Sequence, residues 1–120
     1  PIGKPAERAY SLFRWVDDQG KGFEYLHRLM TASFNEGKNI YKKTFLSQLI
    51  QELGLNWEEA ILHLDNDEWQ NILEKNRQDM YKGSIWGVPA FKLISPDKED
   101  FSVWGQDRLW LLENEIFNRA

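Results

Sequence analysis

Two short stretches of this 120-residue chain hold groups that could do chemistry: Gly87-Val88-Pro89 and Trp104-Gly105-Gln106-Asp107-Arg108. In the first, chemistry would come from the main chain. An X-Pro bond is cis in only about 5–6% of cases in folded proteins, and the tripeptide alone reads first as a plain turn or edge proline. If the bond is cis, the N–H and C=O of Val88 turn outward and can pair with an extended peptide without any side chain. In the second stretch, a glycine turn leads into a helix whose amino-terminal N–H groups and dipole favour an anion. Asp107 beside it would receive an ammonium. A carboxylate and an ammonium together describe an amino-acid head group. Trp86 and Trp104 flank the two stretches and offer an aromatic wall for an apolar substrate.

Other candidates carry less. With no cysteine in the chain, thiolate metal sites, disulfides and thiol nucleophiles are excluded for these residues. His27 and His63 lack spaced acidic or histidine partners, so no metal site is expected. Asp17-Asp18, Glu58-Glu59 and Asp97-Lys98-Glu99-Asp100 are read as solvated helix ends and a turn, and Ser84 has no neighbouring base to activate it. A net charge of −4 with no basic stripe argues against nucleic acid. No apolar run approaches the roughly 18–20 residues of a membrane span. Charged residues at 28% and hydrophobic ones at 42% are the balance of a folded globular chain. Six tryptophans imply a large aromatic core.

Residues 1–83 are expected to be helical. Pro5 suits a first turn, followed by Ala9, Leu12, Phe13 and Val16 at helical spacing up to Gly20-Lys21-Gly22. Phe23, Leu26, Leu29, Met30 and Phe34 form a second amphipathic run that Gly37 ends. Thr44 is expected to cap a third helix, with Phe45, Leu49, Ile50 and Leu53 inward and Gly54 as its stop. Asn56 with Glu59 and Asp67 with Gln70 have capping-box spacing, and Gly83 closes the last helix of the block. Strands are expected over Ile85–Ile94 and Phe101–Trp104, joined by a polar turn at Ser95–Asp100. A final helix starts near Gln106 and turns Leu109, Leu112, Ile116 and Phe117 to one side. The chain is therefore mainly α with a small β-hairpin. It divides into a helical block, 1–83, and a ββα unit, 84–120.

Gly-Val-Pro on a strand, a hairpin, and a strand leading through Gly-Gln-Asp-Arg into a helix form a pattern. Together with Phe34-Asn35-Glu36-Gly37-Lys38-Asn39-Ile40 upstream, that pattern resembles the DsbA relatives known as 2-hydroxychromene-2-carboxylate isomerases and kappa-class glutathione transferases. The resemblance implies a thioredoxin-like α/β parent fold with a helical domain inserted before the proline-bearing strand. On it, residues 84–120 are the C-terminal half of the thioredoxin-like domain, and the N-terminal βαβ segment is missing from this chain. It implies glutathione as the cofactor, with Val88 and Pro89 holding its cysteinyl backbone and Gln106, Asp107 and Arg108 its γ-glutamyl group. The catalytic serine or cysteine of that family would belong to the missing segment, leaving none in these residues. The implied activity is a glutathione-dependent isomerase or transferase acting on a small aromatic substrate, compatible with a homodimer. A DsbA-type thiol–disulfide oxidoreductase and a non-catalytic glutathione- or peptide-binding module are the alternatives. The hairpin loop departs from the family pattern by being longer and more acidic.

Overall fold

A computed structural model describes residues 3–120. They divide into two compact units, one extending to Ile72 and the other running Leu73–Ala120. The division falls inside a helix, not after Gly83, where the sequence changes from helical to extended character.

The first unit is helical. Helix α1 spans Lys4–Ser11, with Pro5 in its first turn, and α2 spans Phe13–Asp18. A single expected helix is thus interrupted at Leu12. Ser11 Oγ donates to the Arg8 C=O at 2.7 Å and accepts the Asp65 N–H at 2.9 Å; such back-bonding bends helices. Helix α3 spans Gly22–Met30 and runs into a π-helical turn, Thr31–Asn35. The remaining elements of this unit are α4 (Lys43–Glu52), α5 (Trp57–Ala60), a 3₁₀ turn (Ile61–His63) and the start of α6 (Glu68–Lys82).

Its core is Ala9, Leu12 and Val16 against Tyr25, Leu29 and Ala32, closed by Leu46, Leu49 and Ile50 of α4 and by Ala60. Each large aliphatic side chain buried there contributes about 1.5–3 kcal/mol relative to exposure. The inward face of α3 differs from the expected one. Tyr25 and Leu29 point in, whereas Phe23, Leu26 and Met30 are exposed, as is Phe34 of the π turn. Hydropathy misplaces this face because α3 is apolar on both sides. Tyr25, polar at its tip, can be buried because its hydroxyl donates to the Ala9 C=O at 2.6 Å.

The caps follow local chemistry. Gly20 and Gly54 have positive φ (74° and 75°), and each follows a helix whose last carbonyls are closed by a 6→1 bond, Lys21 N–H to Val16 C=O and Leu55 N–H to Ile50 C=O. Asn56 caps α5 by accepting the Glu58 N–H at 2.8 Å. Thr44 is not a cap: it lies inside α4, which Lys42 precedes in extended conformation. At α6 the capping side chain is Asn66, accepting the Glu68 N–H at 3.2 Å, rather than Asp67.

The second unit holds the rest of α6, strands β1 (Ala90–Ser95) and β2 (Lys98–Trp104), a 3₁₀ turn (Gln106–Arg108) and α7 (Leu109–Arg119). The strands pair antiparallel, Ala90 with Trp104 through Ser95 with Lys98, with an irregularity between Leu93 and Ser95. The hairpin loop is therefore only Pro96-Asp97, not Ser95–Asp100. Lys98, Glu99 and Asp100 continue the strand on its solvated end, where Asp100 meets Lys92 at 2.6 Å. The segment before Pro89 is irregular, and β1 starts later than expected. Helix α7 packs on both strands, and Arg119 reaches Glu115 at 2.7 Å and Ser95 Oγ at 3.1 Å.

Helix α6 ends in the same 6→1 arrangement, Ile85 N–H to Met80 C=O at 3.0 Å, with Ser84 N–H to Tyr81 C=O at 2.9 Å. The left-handed position falls on Ser84 (φ 56°), not on its neighbour Gly83. A side chain there opposes the left-handed conformation that glycine adopts freely. Ser84→Gly is therefore expected to stabilise the protein by about 0.5–1 kcal/mol, read as a higher midpoint in chemical denaturation.

Candidate functional site

The two stretches singled out by their chemistry lie together in the second unit. The Val88–Pro89 peptide bond is cis. The Gly105 N–H donates to the Pro89 C=O at 3.0 Å, next to the Ala90–Trp104 pair that ends the ladder. This bond places Val88 beside the turn at Gly105–Arg108. Val88 is 81% exposed, and no hydrogen bond among the described residues engages its N–H or C=O. Two main-chain groups thus face solvent at a fixed point.

Gly105 takes φ 101°, a left-handed conformation, and a Cβ there would run into the Asp107 carboxylate. Glycine at this position is what lets β2 turn into the 3₁₀ segment and α7. Gln106, Asp107 and Arg108 are all exposed. Arg108 stands 4.0 Å from Asp107 and 5.7 Å from the centre of the Trp104 ring, where its cation is attracted by the ring face. Asp107 caps no helix, so its carboxylate has acceptor capacity left for a ligand.

Trp86 and Trp104 pack ring to ring, 4.5 Å between centroids at 37°. Trp86 is 69% exposed and forms the outer layer; Trp104 is half-buried behind it. Trp104 Nε1 is the one buried side-chain nitrogen or oxygen without a hydrogen-bond partner among the described residues. Gly87 sits against that atom: a Cβ on it would stand 2.5 Å from Trp104 Nε1 and 3.1 Å from two ring carbons.

Gly87 is not among the expected binding residues; a glycine just before a strand marks close approach, but only the fold reveals that the partner it makes room for is Trp104. His27 stacks on Phe23 and His63 on Trp15. Among the described residues, no group of three histidine or acidic side chains could hold a metal ion. Ser84 serves the helix end described above.

A hairpin bearing a cis-proline, followed by a turn into a terminal helix and preceded by a helical unit, is consistent with a thioredoxin-type arrangement. The DSBA-like thioredoxin domain family matches residues 2–117, and the chain belongs to that family. The family comprises thiol–disulfide oxidoreductases and isomerases. No curated protein and no solved structure matches the chain. Because these 120 residues include no cysteine, the chain has no sulfur nucleophile of its own for that exchange.

Proposed function

We propose that this chain supplies the glutathione-holding surface of a DSBA-family isomerase or transferase acting on a small aromatic substrate, of the 2-hydroxychromene-2-carboxylate isomerase kind. The observation that carries the reading is the Gly105–Pro89 bond, which joins the cis-proline segment, with its unpaired Val88 main chain, to the turn that carries Asp107. The residues fit a γ-linked tripeptide. Val88 pairs through its N–H and C=O with the central cysteinyl residue, in the manner of an added strand. Asp107 accepts the γ-glutamyl ammonium. Arg108 and Gln106 are exposed donors on the same turn for its α-carboxylate. Trp86, backed by Trp104, provides a face on which an aromatic ring can stack. Glutathione, when bound, supplies the reactive thiol; the cradle's own residues bind and orient.

The test is calorimetric titration of reduced glutathione into the purified chain. Saturable binding is expected, and Asp107→Ala should weaken it at least tenfold, because a charge-assisted hydrogen bond is worth about 1.5–3 kcal/mol. N-acetylglutathione, which has lost the ammonium, should bind the unaltered chain as weakly as glutathione binds the variant. Absence of binding, or equal binding by the variant, would falsify the assignment.

A further inference from the structure

Helix α3 leaves an apolar face unused by the core, and beside that face lies a built cavity. The surface between α1 and α3 sinks into a groove of about 300 Å³. Ala9, Leu29 and Ile40 line it and are buried, so it has a closed floor. Tyr10 stands on one wall. Met30 and Phe34, 61% and 72% exposed, stand on the other.

The π turn shapes the mouth. It adds a residue to the helical repeat, and Ser33 and Phe34 both line the groove. Turns of this kind recur at functional sites. The turn is pinned on both sides. Thr31 Oγ1 donates to the His27 C=O at 2.9 Å, and the Lys38 N–H donates to the Ala32 C=O at 2.8 Å. Glu36, just beyond the turn, is held by Arg28 at 3.0 Å and Lys38 at 2.7 Å. The opening is therefore preformed.

The lining selects its occupant. Among the described residues, no Asp, Glu, Lys, Arg or His borders the groove. Its one ionisable group, the Tyr10 phenol, is held in its neutral form because burial raises its pKa. An ion entering would give up water and find no counter-charge. The volume lies at the lower end of the range for small-molecule sites, roughly 300–1,000 Å³. Tyr10, Phe34 and the Met30 thioether suit a flat ring, sulfur–aromatic contact included.

We infer that this groove binds a small uncharged aromatic molecule, with the Ser33 and Tyr10 hydroxyls as its polar contacts. The site stands apart from the glutathione reading, since no cradle residue lines it.

The experiment uses the whole chain and N-phenyl-1-naphthylamine, an uncharged probe that brightens in apolar surroundings. One saturable site is expected. Naphthalene should displace the probe; naphthalenesulfonate should not. Ala6→Phe, which fills the groove, and Met30→Glu, which charges its mouth, should each weaken binding at least tenfold, whereas Asp107→Ala leaves it unchanged. Met30 is exposed, so Met30→Glu keeps the test valid even if Ala6→Phe does not fold. Non-saturating fluorescence, or parental affinity in Met30→Glu, overturns the inference. So does sedimentation showing a dimer that Met30→Glu dissociates and that excludes the probe, because a second copy then covers the face.

Discussion

Tyr25→Ala is expected to destabilise the helical unit by about 3–5 kcal/mol, and Tyr25→Phe by about 1 kcal/mol. Tyr25 is fully buried at the centre of that unit and carries the largest side chain in its core. Alanine there removes the ring and leaves a cavity whose lining keeps too few partners. Phenylalanine keeps the ring and loses only the bond from the hydroxyl to the Ala9 C=O. Chemical denaturation of the three proteins separates the two contributions, and equal costs for both variants would show that the hydroxyl, not the ring, matters.

Burial also pushes the Tyr25 phenol well above its ordinary value of 10.0. Below pH 10 the phenol is protonated in both folded and unfolded chains, and its contribution is fully present. Above pH 10 the unfolded chain releases the proton while the folded one retains it, so stability falls as pH rises. Tyr25→Phe should lack this alkaline component. The same hydroxyl ties α3 to α1, the two walls of the apolar groove, so Tyr25→Phe should also loosen probe binding there.

Much of this architecture was readable from local chemistry, and the failures have particular physical causes. Gly54 ends α4 and Asn56 starts α5 as expected, because both caps depend on residues within a few positions of one another. The hairpin forms as expected, but its loop is shorter than the run of polar residues suggests. Polar residues in a row suggest a turn, yet Lys98-Glu99-Asp100 sit on a strand end open to solvent and use the charge pair with Lys92. At the end of α6 sequence favours Gly83 as the terminator, and only the backbone reveals that Ser84 takes the positive φ.

The inward face of α3 departs from expectation for a deeper reason. Periodicity finds an apolar stripe but cannot choose between two, and here the choice rests on one long-range bond between Tyr25 and α1. The candidate site shows the same limit. Val88 and Asp107 could be picked out by type and spacing, and Arg108 only by the family resemblance. That the Pro89 C=O and Gly105 N–H meet at 3.0 Å is a property of strand register, which no single stretch contains. Gly87 is harder still, since its significance lies wholly in the tryptophan that β2 delivers to it from the other side of the hairpin.

That dependence makes Gly87→Ala the most informative change in the second unit. Gly87 does not occupy the left-handed region, so an alanine meets no backbone penalty there, and the obstacle is space alone. The new methyl group would meet Trp104 at Nε1 and two ring carbons, a rigid indole that cannot fold aside as the tip of a lysine would. Either the indole or the loop over Gly87–Pro89 must shift. Overpacking of this kind costs about 1–3 kcal/mol. The cost falls on a unit with only one buried hydrophobic side chain, Val103, among its described residues. The expected result is loss of the exciton-coupled tryptophan band that two indoles 4.5 Å apart produce in far-ultraviolet circular dichroism. Glutathione affinity should fall at least tenfold with it, because moving Pro89 breaks its bond to Gly105 and shifts the Val88 main chain away from the turn. Probe binding in the α1–α3 groove should persist, since no residue of this loop lines it. A Gly87→Ala protein that keeps both the coupled band and the parental stability would mean that the close contact relaxes freely, and the glycine would then have no positioning role.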